Sequence, residues 1–173
     1  LINGFKDSLS TNIKDELNSF IARGGNILLA QNRIDVDIQT QKATPIESDI
    51  FDFLDEFGLY INENLVLDQQ CGKVNVQQNM GIFRMAVPMS YPFLPLIQNF
   101  NEDEVIGNGL ESVMTMFASE IAIESNPLVN VQELFSSSDR STTMTEFYNL
   151  NPDPKSNPIF LNLIEPGKLL AVR

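Results

Sequence analysis

Gly24-Gly25 is the feature that most constrains this chain, because it stands between an amphipathic stretch and a short apolar run. Before it, Ile13, Leu17, Phe20 and Ile21 recur at helical spacing and draw one apolar stripe. Ser10 or Thr11 can cap such a helix, which runs through Ala22. A glycine suits the position just past a helix, where the backbone turns left-handed. After the pair, Asn26-Ile27-Leu28-Leu29-Ala30 is apolar between polar neighbours, the pattern of a buried parallel strand. Helix, glycines, strand is half of an α/β unit. Ile27, Leu28 and Leu29 are therefore expected to form a central buried strand between helices.

Residues 32–43 are polar, have little periodicity and read as a loop. Thr44-Pro45-Ile46-Glu47 is a good helix start, with a capping hydroxyl, a proline in the first turn and a Glu that can reach back. Ile46, Ile50, Phe53, Leu54 and Phe57 then form an apolar face, and Gly58 ends the helix. Asp49, Asp52, Asp55 and Glu56 read as its solvated face. From 59 to 97 the texture is β-rich. Leu65-Val66-Leu67 is apolar, Lys73 to Gln77 alternates, Gly72 and Gly81 punctuate, and Ile82 to Val87 fits another strand. Pro88, Pro92 and Pro95 exclude regular helix across 88–95. Residues 98–109 read as an acidic loop. Strands are expected at 113–118, 129–135 and 169–172, with a proline-rich loop over 149–158. The sequence thus reads as a single α/β domain over 1–173, with 59–97 a β-rich excursion or insertion. It begins at Leu and stops within a strand-like run, as an excised fragment of a longer protein does.

Charge and residue counts exclude much chemistry. Lys and Arg number 11 against 23 Asp and Glu, a formal charge of −12 that repels nucleic acid and anionic lipid. With no His, Ser-His-Asp and Cys-His catalysis lack their base, and most catalytic zinc sites lack a ligand. The single Cys71 permits no internal disulfide and no CxxC pair. No apolar run reaches membrane-spanning length.

Individual constellations are weak. Gly24-Gly25 follows a helix, whereas a phosphate cradle needs strand, glycines and then a helix N-terminus. Gly107-Asn108-Gly109 follows no long apolar strand. Cys71 lies between strand-like stretches with no base, so it reads as passive. Asp35-Val36-Asp37 and Asn101-Glu102-Asp103-Glu104 lack the spacing of a twelve-residue calcium loop. No catalytic, cofactor or metal residue is assigned. Tyr91-Pro92-Phe93-Leu94-Pro95 stands apart, with two aromatics and two prolines in five residues. It suits either a contact surface or a core-packing corner.

Several segments together resemble a known family. Asn18 to Leu28, centred on Arg23, Gly24 and Gly25, resembles the helix, R-G-G, strand opening of the gliding-motility-type ABC transporter auxiliary family. This family is also called the ABC-type uncharacterized transport system domain. Phe53-Leu54 to Gly58 and Ile61 to Asp68 look like its "L…yGi.inp.lv.D" stretch, and Gln70-Cys71-Gly72 like its small-residue turn. Tyr91-Pro92-Phe93 with Pro95-Leu96-Ile97 is similar to its aromatic-proline segment. Val113 to Ser119 and Leu134 to Ser138 resemble two later segments, in the right order. The resemblance implies a three-layer α/β fold, flavodoxin-like or class I amidotransferase-like. It implies an extracytoplasmic (periplasmic) domain, anchored by helices outside this stretch, beside the permease of an ABC exporter. The amidotransferase activity does not carry over, since this chain lacks the His and the elbow Cys.

Two functions of different class follow. One is a non-enzymatic interaction module that binds an ABC permease or a sister auxiliary subunit. The other is a carbohydrate- or small-ligand-binding domain, with hydrolysis by carboxylates alone as its catalytic form. The first expects Tyr91, Pro92 and Phe93 to bind the partner, with at least one of the two rings exposed.

Overall fold

The computed structural model describes residues 1–80 and 83–173. Gly81 and Ile82, expected as a turn and the start of a strand, lie outside the described residues. The chain opens with β1 (Ile2–Asn3), α1 (Thr11–Ala22), β2 (Leu29–Ala30), β3 (Ile34–Asp37), β4 (Lys42–Pro45) and the short α2 (Ile50–Asp55). Strands dominate thereafter: β5 (Leu59–Ile61), β6 (Leu65–Asp68), β7 (Cys71–Met80), β8 (Phe83–Ile97), β9 (Asn99–Phe100), β10 (Val113–Met114), β11 (Ile121–Ile123), β12 (Glu133–Ser136), β13 (Ser141–Met144) and β14 (Leu169–Val172).

Among the described residues strand makes up 37% and helix only 15%, with the strands in small separate sheets. The expected three-layer α/β sheet of flavodoxin-like or class I amidotransferase-like type is therefore corrected to a mostly-β fold. Among the described residues, parallel pairing is confined to β1 with β2, two residues each. All other described pairs are antiparallel.

The helix before Gly24 forms where its period places it. Ser10 caps it, its hydroxyl accepting from the Ile13 N–H at 3.4 Å. What fails is the layer around it. No α1 residue is buried, and Ile13 and Phe20 are 42% and 43% exposed. Ile27 and Leu28 lie outside β2, and Leu28 is 68% exposed, so no central strand runs there. The run stops at Gln31, whose side chain accepts from the Phe5 N–H and donates to the Phe5 carbonyl, both at 2.8 Å. An apolar run this short gives the type of its backbone but not what covers it.

The expected loop at 32–43 is a hairpin, β3 against β4, from Ile34–Pro45 to Asp37–Lys42. Ile34 and Val36 alternate with Asp35 and Asp37, a period of two with polar outward positions. Asp37 closes the turn, accepting from the N–H groups of Gln39 and Thr40 and from the Thr40 hydroxyl at 2.7 Å. Those bonds hold its carboxyl below the usual range, the Thr40 hydroxyl most. Thr44 and Pro45 thus belong to a strand, and the second helix starts only at Ile50. Ile46, Ile50, Phe51 and Phe53 pack with Leu9 into a small cluster, against which Leu17 and Ile21 of α1 lean.

The larger core lies among the later strands. It gathers Ile34, Leu65, Leu67, Tyr91, Phe93, Phe117, Met144, Leu150 and Leu163. Strand β6 is buried at every position and pairs with β13. The strand expected at 113–118 is regular only over Val113–Met114. Beyond it, the Thr115 and Phe117 N–H groups still reach the Pro95 and Phe93 carbonyls, both at 2.9 Å. The run expected at 129–135 is a strand only at Glu133–Ser136, between β14 and β9. The final strand at 169–172 forms as expected.

Candidate functional site

The best-built polar constellation stands at the root of the β7–β8 ribbon. Asp68 ends β6 and is fully buried. Its Oδ1 accepts from the Gln70 N–H at 2.8 Å and from the Ser138 hydroxyl at 2.5 Å. Its Oδ2 accepts from the Ser138 N–H at 2.6 Å. Ser137 beside it is also buried and accepts from the Lys168 N–H at 2.7 Å. A buried carboxylate persists only with such partners. Here it clasps the β6–β7 turn to the Ser136–Ser138 segment, 70 residues away in sequence.

The sequence-assigned residues fall in two places. Tyr91 and Phe93 are 2% and 0% exposed, and Pro92 is buried with them. The expected exposure of one ring is therefore corrected: the segment is a core-packing corner. Its cause is a register break. Cys71 pairs with Pro95 but Lys73 with Ser90, so β8 spends several more residues than β7 between the two pairs. The intervening residues of β8, Tyr91 to Leu94, turn into the core. Tyr91 meets Phe93 edge-on at 5.2 Å, and both rings meet Phe117 and Phe160. The Tyr91 hydroxyl donates to the Leu150 carbonyl at 2.8 Å, and burial pushes its pKa up to about 12.

Arg23, Gly24 and Gly25 close α1. The Gly24 N–H reaches the Ile21 carbonyl at 2.8 Å and the Gly25 N–H the Phe20 carbonyl at 2.9 Å, a Schellman end. Gly24 takes φ +82°, and a Cβ on Gly25 would meet the Phe20 ring at 2.3 Å. Both glycines thus have a structural reason at the helix end, far from the Asp68 clasp in sequence.

Other groups are less organised. Burial, chiefly, raises the Cys71 thiol above its ordinary pKa, which keeps it protonated and a poor nucleophile. An open groove of about 420 Å³ lies along Thr143, Thr145, Phe147 and Pro158, with no titratable side chain in its lining. Its amides are engaged: Asn149 donates to Ser156 and Asn157 to the Asn149 carbonyl, both at 2.7 Å. Arg33 stacks 4.0 Å over the Phe51 ring, and its Nη2 lies 3.9 Å from Glu63. Glu104, expected in an acidic loop, is buried and pairs with Arg173 at 3.2 Å. Among the described residues no three His, Cys, Asp or Glu side chains group as metal ligands. In the sequence Asp68 and Ser138 stand in separate segments, and nothing local joins them. The signal was a carboxylate at the end of an otherwise apolar strand.

A family model described as an ABC-type uncharacterized transport system matches residues 1–173, the whole chain. The chain belongs to this family. No helix among the described residues is long and apolar enough to cross a membrane. An uncharacterized protein of Borreliella burgdorferi is 27% identical over 101 residues, 51% of this chain and 19% of that protein. The match thus spans about a fifth of the curated relative's length. Among solved structures, the mmIFT52 N-terminal domain is similar, with a TM-score of 0.50 and 13% identity over 80% of this chain and 51% of that one. At that identity the likeness concerns the fold alone.

Proposed function

We propose that this chain is a non-enzymatic accessory module of an ABC-type export or gliding-motility transport complex. It works on the extracytoplasmic side of the membrane by protein–protein contact with the permease or a sister auxiliary subunit. The observation that carries this is the family match over all 173 residues. The polar chemistry supports it. The Asp68 carboxylate spends both oxygens on three donors, and the Cys71 thiol is held protonated. Neither is poised to take a proton or attack a substrate. The test is purification of the tagged full-length protein from its own membranes. Permease and ATPase subunits should come with it, and transport should fall when its gene is deleted. A reporter fusion active only outside the cytoplasm should be active on this domain. Turnover on an ester, amide or glycoside panel that disappears in Cys71→Ser or Asp68→Asn would sink the non-enzymatic half.

A further inference from the structure

Strand β7 is an edge strand: its sheet runs β10-β8-β7, and nothing pairs with its outer side among the described residues. Which groups face outward follows from one proline. Asn75 is paired with Pro88. Pro88 has no N–H, so these two residues cannot exchange the hydrogen bonds of a bonded pair. Bonded and unbonded pairs alternate along an antiparallel ladder. Lys73, Asn75 and Gln77 therefore turn their N–H and C=O groups away from β8, into open space.

The two edges of the ribbon are guarded unequally. On β8 the outer side of 83–90 carries Arg84 and the gap at Pro88, both of which obstruct a further strand. On β7, residues 72–78 contain no proline and one charge, Lys73. An unprotected edge this long invites pairing unless something covers it. From Gln69 to Asn101 the chain has no carboxylate at all, although its net charge is −12. The ribbon is thus the stretch by which two copies of an acidic chain approach with least repulsion.

We infer that a second copy of this chain covers the β7 edge, the two β7 strands pairing antiparallel about a two-fold axis at Asn75. The strand is self-complementary in that register. Val74 faces Val76 of the other copy on one side of the ribbon. Lys73 faces Gln77 on the other, so no like charges meet. Asn75 faces its own copy, and the outward-facing residues then oppose one another as bonded pairs. The contact is isologous and closes at two chains.

The full-length protein should sediment at twice its chain mass. Asn75→Pro removes the N–H at the two-fold axis but none directed at β8, so the dimer should be lost and circular dichroism retained. A second variant keeps the test decisive if that one does not fold. In a Cys71→Ser background, Asn75→Cys places two thiols opposite each other, about 5.5 Å apart at Cα, within disulfide reach. Mild oxidation should give a covalent dimer there and none for Arg84→Cys on β8. A chain monomeric at every concentration overturns the inference. So does cross-linking from Arg84→Cys as fast as from Asn75→Cys.

Discussion

The two halves of β8 are one strand with opposite fates. From Phe83 to Ser90 apolar residues alternate with Arg84, Ala86, Pro88 and Ser90, and the strand stands in solvent, with Phe83 67% and Met85 53% exposed. From Tyr91 to Pro95 every residue is buried. The difference lies in the pattern: alternation suits a ribbon with two unlike faces, and a continuous apolar run suits protein on both sides. The register break between them marks where the strand leaves open water for the core.

The contrast breaks most visibly at Phe93. Phe93→Ala leaves a cavity among three aromatic rings and should cost about 3–5 kcal/mol, read from chemical denaturation. A loss under a fifth of that means the corner is not sealed. Next comes the clasp at the ribbon's root. Asp68→Asn keeps the shape but loses charge-assisted acceptance from Ser138 and Gln70, an expected loss of about 1.5–3 kcal/mol by the same measurement. Tyr91→Phe removes one buried hydrogen bond, about 0.5–1.5 kcal/mol. It also alters the alkaline limb. The folded tyrosine stays protonated to about 12 while the unfolded one ionises near its ordinary value of 10.0. Its contribution is therefore complete below that ordinary value and declines as pH rises toward about 12. The variant should lose stability less steeply over that window in pH-resolved melts. Phe83→Ser, on the exposed half, should shift stability by less than about 0.5 kcal/mol. A larger loss there would show that the ribbon's apolar face is already covered.

Acid behaviour sharpens the periphery. The Glu165 carboxyl is held below its usual range, first by Lys168 at 2.7 Å and then by the Thr142 hydroxyl at 2.6 Å. Its contribution is present above the ordinary carboxylate value and disappears as pH falls through the lowered one. Glu165→Gln should flatten the acid limb of a pH–stability profile.

Local pattern was legible and coverage was not. The α1 stripe, its Ser10 cap and its glycine end could be read because each is decided within one or two turns. The alternation at Lys73 to Gln77 named a half-exposed strand for the same reason. Leu28 failed because an apolar residue does not say whether another element will arrive to cover it. The β3–β4 hairpin was missed because Asp35 and Asp37 diluted an alternation only four residues long. Tyr91-Pro92-Phe93 suited surface and core equally until the register break of β8 decided. Asp68 and Ser138 could not be joined, because nothing local records a partner 70 residues away.

The rings of Tyr91 and Phe93 are closed over from the far end of the chain, by Leu150, Phe160 and Leu163. On a ribosome the order of emergence is therefore awkward. The aromatic corner is made early, and its cover follows only after some 50–70 further residues, seconds later at roughly 5–20 residues per second. During that interval the rings of Tyr91 and Phe93 lack the part of their cover that comes from beyond Leu150. A message truncated before Leu150 therefore yields a chain whose Tyr91 and Phe93 rings lack the cover that Leu150, Phe160 and Leu163 supply.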